Sequence, residues 1–110
     1  MFSEDRDLDV TKNIKMIEWL KSELLTTVAS LYAVLIKGMR DSRDTLIDVL
    51  ANIILVAYLL GKRLGLSHRV IDMRIHEKIR LGILEDHKLE EWYGDLSNLK
   101  QYLDEGRNNK

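Results

Sequence analysis

The chain has no cysteine, no proline, six glycines and a single phenylalanine among its 110 residues. Without cysteine there is no disulfide scaffold, no thiolate zinc site and no cysteine nucleophile. The absence of proline removes the strongest helix breaker, so the composition points to helices joined by short loops. Charge of one sign is missing as well. Seventeen Lys+Arg against 18 Asp+Glu give a net charge of −1, leaving no uniform basic field to attract nucleic acid or a membrane surface. The opening residues, MFSEDRDLDV, are acidic and polar, unlike the basic start and apolar stretch of a signal peptide. The most apolar run, residues 46–60, is short for a bilayer crossing and contains Asp48 and Asn52. These absences lead us to expect a soluble, cytoplasmic protein with no membrane partner.

Apolar residues are plentiful. Leu, Ile, Val and Phe make up about a third of the chain, which argues against intrinsic disorder. The length suits one domain. We expect a loose acidic arm over residues 1–10, a single helical domain over 11–104, and a frayed tail over 105–110. In the first helix Ile14, Ile17, Leu20, Leu24, Val28, Leu31 and Leu35 step by three or four and draw one apolar stripe. Thr11 is the expected cap and Gly38 the expected exit. Asp41 or Ser42 can cap a second helix over residues 45–64, with Asp44 at the positive end of its dipole. The middle of that helix, LIDVLANIILVAYLL, is apolar nearly all round, so a chain this short needs another copy to cover it. We therefore expect a homodimer or higher oligomer. Ser67 is the expected cap of a third helix ending near Gly82. Two shorter pieces follow around Gly94-Asp95, with Asp95 capping the last and Leu96, Leu99, Tyr102 and Leu103 facing inward. The fold class is all-α, with two long antiparallel helices followed by shorter C-terminal ones.

Polar residues inside the apolar helices are the first candidates for chemistry. Thr26, Thr27 and Ser30 interrupt the first helix. Asp41, Thr45, Asp48 and Asn52 lie along one line of the second, with Asp44 beside them. Antiparallel pairing brings Thr27 and Ser30 toward Asp48 and Asn52. A buried carboxylate there needs hydrogen-bond donors or a cation. One reading is a polar cluster that fixes helix register; the other is a divalent metal site.

The second reading draws on a resemblance. The segment DTLIDVLANIILVAYLLGKRLGLS, preceded by a long helix and a short acidic loop, resembles the MazG-like all-α nucleoside triphosphate pyrophosphohydrolases. The similarity covers residues 14–78, and HKLEEWYGDLSNLKQYL also looks like the C-terminal part of short bacterial members. In that family two glutamates three apart on the first helix, and a glutamate and an aspartate three apart on the second, hold Mg²⁺ on the triphosphate. The present chain reads LLTTVASL at the first motif, so Thr27 and Ser30 stand at the two glutamate positions. Thr45 stands at the third, and Asp48 alone matches. The resemblance implies a MazG-like helical bundle with a degenerate metal site, acting as a nucleotide- or partner-binding oligomer without catalysis. The competing implication is an active Mg²⁺-dependent pyrophosphohydrolase, with Asp48 and Asp44 as ligands and Lys78 contacting phosphate. Thr27, Ser30 and Thr45, being neutral, make weak Mg²⁺ ligands.

A helix-turn-helix pattern over residues 57–83 is a further alternative. Gly61, Gly65 and Ile71 fall at plausible positions, and Lys62, Arg63, Arg69, Arg74, Lys78 and Arg80 carry charge suited to phosphates. Because the first motif helix is also the end of the apolar helix, we expect no nucleic-acid partner. His68, His76 and His87 are too widely spaced for one ion and are expected at the surface or rim. Trp19, Trp92 and Tyr93 are expected in the core, with Tyr58 packed and its hydroxyl at an edge. Glu90 and Glu91 are expected on a solvated face.

Overall fold

A computed structural model describes residues 2–37, 43–85 and 87–108. Five helices occur among them and no strand: α1 (Phe2–Lys37), α2 (Arg43–Arg63), α3 (His68–Leu84), α4 (Lys88–Tyr93) and α5 (Asp95–Asn108). The all-α expectation holds. Gly38, Asp41 and Ser42 lie outside the described residues. The chain groups into two compact units, Met1–His68 and Arg69–Lys110.

The first unit is the α1–α2 hairpin. Asn13 meets Arg63 and Thr27 meets Asn52, so position rises along one helix as it falls along the other, the signature of antiparallel pairing. Its core is narrow. Leu20, Val49 and Val56 are buried, together with Thr27 and Gly61. Ile17, Leu24, Val28 and Leu31 are half-buried along the same α1 stripe, whereas Ile14 and Leu35 at its ends are exposed. At the open end, the Asn13 amide donates to the Arg63 carbonyl at 3.0 Å and its oxygen accepts from the Arg63 guanidinium at 3.4 Å. That contact occupies a carbonyl which the end of α2 leaves without a helical partner.

The helix starts earlier than its pattern suggested. Residues 2–10, expected as a loose arm, belong to α1, and Thr11 sits inside the helix rather than capping it. Nothing in this segment breaks a helix: it holds neither glycine nor proline. The bilayer-length argument also needs correction. Residues 6–37 of α1 and all 21 residues of α2 are long and apolar enough, by length and composition alone, to cross a membrane.

After α2 the chain turns at Gly65, whose φ of +88° is left-handed. The Gly65 amide donates to the Lys62 carbonyl at 3.0 Å and the Leu66 amide to the Gly61 carbonyl at 2.9 Å. This is a Schellman closure, and only glycine enters it without steric cost.

The second unit holds α3, α4 and α5. Ile79 is buried, and Ile71, Ile75 and Ile83 are half-buried. Gly82 marks a close approach of one side chain: a Cβ there would stand 2.6 Å from Leu96 Cδ1, so a larger residue would require the end of that flexible side chain to turn aside. Gly94 separates α4 from α5 with φ +67°, as the Gly94-Asp95 break suggested. Asp95 is the first residue of α5 rather than its cap. The capping role falls to Glu90, whose carboxylate accepts from the Ser97 amide at 3.0 Å and from the Ser97 hydroxyl. Glu90 is thus no idle member of a solvated face. At the other end α5 runs to Asn108, past the expected fraying point at 105. Leu96 and Leu103 are half-buried, but Leu99 and Tyr102 are exposed.

Candidate functional site

The polar residues of the hairpin arise from two helical lines that face each other. Thr27 is only 6 % exposed. Its hydroxyl oxygen accepts from the Asn52 amide at 2.8 Å. The same amide nitrogen donates to a Glu23 carboxylate oxygen at 3.3 Å. Glu23 and Asn52 are both half-buried. The three side chains therefore close a small network across α1 and α2, and no buried side-chain polar atom among the described residues lacks a partner.

The other expected members stay out of it. Asp48, Asp44, Thr45 and Ser30 are all exposed, as is Thr26. Asp48, expected as a metal ligand, is therefore not a buried carboxylate of this network. Val49, next in sequence, takes the buried position against α1, and a residue 100° away around the helix cannot share it. Asn52 faces inward in its place, one helical turn beyond Asp48. Glu23 likewise lies one turn before Thr27. Because the helices are antiparallel, both displacements run the same way. The hydrogen-bonded network thus includes Thr27 and extends from it by one helical turn, about 5 Å, along the hairpin away from the other motif positions. The i, i+4 spacing of Glu23 and Thr27 was present in the sequence, but only the pairing with Asn52 gives it meaning.

These side chains do not fit a Mg²⁺ centre. Mg²⁺ requires hard oxygen donors converging in an octahedron. Among the described residues no three His, Asp or Glu side chains converge in a way that could hold an ion. Within the network, Glu23 is the one carboxylate and already accepts from Asn52, while the Thr27 oxygen is engaged by the same amide. Lys78, the expected phosphate contact, is exposed on α3 in the second unit.

The remaining candidates disperse. The helix-turn-helix stretch is divided between the two units at residue 68. Arg74 in it is paired with Glu77 at 3.3 Å. His68 packs edge-on against Tyr58, with ring centroids 5.5 Å apart. His87 is the N-cap of α4 and its Nδ1 accepts from the Leu89 amide at 3.1 Å. Tyr58 is half-buried, as expected. Trp19, Trp92 and Tyr93 are not core residues: they are 58 %, 65 % and 70 % exposed. Trp92 instead carries the Lys88 ammonium 5.7 Å above its ring and meets Tyr93 edge-on. Sequence reasoning missed Glu90, whose pKa is lowered by the Ser97 hydroxyl first, and then by the Ser97 and Leu96 backbone amides.

Neither the curated proteins nor the solved structures provide a match to this chain. The sequence model of the MazG-like family does match, over residues 10–96. That span reaches from the first third of α1 to the second residue of α5 and takes in the whole Glu23–Thr27–Asn52 network. The chain belongs to the MazG-like family.

Proposed function

We propose that this protein is a MazG-like helical oligomer whose nucleotide pyrophosphohydrolase site is degenerate, and that it works in the cytoplasm by binding a nucleotide or a partner rather than by catalysis. The observation that carries this reading is the Thr27 hydroxyl. It stands where the family motif has a metal-binding glutamate, and it is turned inward to the Asn52 amide at 2.8 Å. A hydroxyl already committed to an amide, beside exposed Thr45, Ser30 and Asp48, offers a divalent ion little to replace water. A network of neutral donors and one carboxylate suits the setting of helix register instead. The oligomer is supported by the apolar residues that the hairpin leaves uncovered, among them Leu25, Tyr32, Ile36, Ile47 and Ile54.

The test is pyrophosphate release from a panel of nucleoside and deoxynucleoside triphosphates with millimolar Mg²⁺ or Mn²⁺. The expected result is background release from the wild type and from Asp48→Asn alike, with helicity unchanged between them. Turnover that disappears in Asp48→Asn while helicity is retained would establish the enzyme reading instead, with Asp44 as the first auxiliary acid to examine.

A further inference from the structure

The second unit carries a groove of about 590 Å³ that the hairpin reading does not use. Val70 and Met73 on α3 form its apolar wall, and Arg74, His76, Glu77 and Arg80 of α3 and Lys100 of α5 supply its polar part. Three cations face one carboxylate. That carboxylate is already neutralised, since Glu77 pairs with Arg74 at 3.3 Å. Lys100 is held by Asp104 at 3.2 Å through a single exposed contact, which is weak and exchangeable. Arg80 makes no ion pair among the described residues. Among the described residues, its planar fork is the one strong anion donor of the groove not engaged by a carboxylate.

From this we infer that the groove between α3 and α5 is a binding site for a small organic anion, one with a phosphate or carboxylate head for Arg80 and Lys100 and an apolar body for Val70 and Met73. The volume lies within the range of small-molecule sites. The charge pattern selects the sign of the ligand, and the Met73 side chain adapts its shape to the body. The groove lies wholly within residues 69–110, so it stands or falls independently of the reading of the hairpin.

Phenyl phosphate is a direct probe, read through the ε-methyl resonance of Met73 in protein labelled at methionine methyls. Met16, on α1, is the internal reference. Phenyl phosphate should shift the Met73 methyl saturably and leave Met16 in place. Arg80→Gln should weaken binding about tenfold or more, whereas Arg69→Gln, the same change of charge outside the groove, should leave it intact. Benzyl alcohol, which has the body without the charge, should give no saturable shift, and inorganic phosphate should bind more weakly than the ester. Four results would overturn the site: a Met73 methyl that does not respond, equal binding in Arg80→Gln, equal response to benzyl alcohol, or inorganic phosphate binding as tightly as the ester.

Discussion

Asn52 has two amide hydrogens and directs them at Thr27 and Glu23. Removing one partner of such a pair strands the other, whereas removing both can be nearly neutral. Thr27→Val should therefore destabilise the hairpin by about 1–2 kcal/mol, and Asn52→Leu by a similar amount. The double variant should cost clearly less than their sum. A double-mutant cycle by urea unfolding measures this coupling, and strict additivity would show that the network does not act as a unit. Glu90 gives a second prediction at this scale. Its folded pKa lies below its unfolded value, so its contribution is fully present above the unfolded carboxylate pKa. It is lost as pH falls through the folded pKa. The amides of α5 should thus lose exchange protection on acidification below about pH 4.5. In Glu90→Gln they should be less protected at neutral pH and respond less to acid. An identical acid response in the two proteins would remove Glu90 from the cap.

At the scale of elements, the inward stripe of α1 could be read directly from the spacing of Ile17, Leu20, Leu24, Val28 and Leu31. The turns at Gly65 and Gly94 were legible because a left-handed residue leaves a compositional mark. Other features were not legible. Period locates a face but not its partner, so Asp48 and Asn52 looked equivalent along one line until Val49 settled which side of α2 faces α1. Trp19, Trp92 and Tyr93 were assigned to the core by residue type, although neither a two-helix hairpin, which carries Trp19, nor a six-residue helix such as α4, which carries Trp92 and Tyr93, can enclose every large side chain in its sequence. The Glu90 cap was hidden because its partner is seven residues away across the Gly94 turn, outside the three-residue spacing of an ordinary capping box. The early start of α1 was hidden by acidic residues that read equally well as a solvated arm or as the first turns of a helix.

At the scale of the molecule, the question is what covers the hairpin. Leu25 is 73 % exposed, Ile36 85 % and Ile54 60 %. Side chains of this size on both helices form a larger apolar surface than soluble monomers ordinarily leave in water. The proposed symmetric dimer or tetramer would bury α2 and close that surface with copies of itself. Light scattering after size exclusion should give at least twice the monomer mass at micromolar concentration. Ile54→Glu, with helicity retained, should shift the distribution toward monomer. A wild-type monomer, or a wild-type chain that partitions with membranes on fractionation, would contradict the self-associated form.

The central claim is the proposed one, that Thr27 belongs to a hydrogen-bonded network with Glu23 and Asn52 and not to a metal site, and direct metal binding tests it most closely. Mn²⁺ substitutes for Mg²⁺ on oxygen ligands, and its free form is counted by electron paramagnetic resonance as protein is titrated in. The account predicts no site of better than about millimolar affinity, because among the described residues no three acidic or histidine side chains converge to hold an ion. It also predicts no difference between the wild type and Asp48→Asn. One Mn²⁺ bound per chain at micromolar affinity, and lost in Asp48→Asn with helicity unchanged, would contradict it.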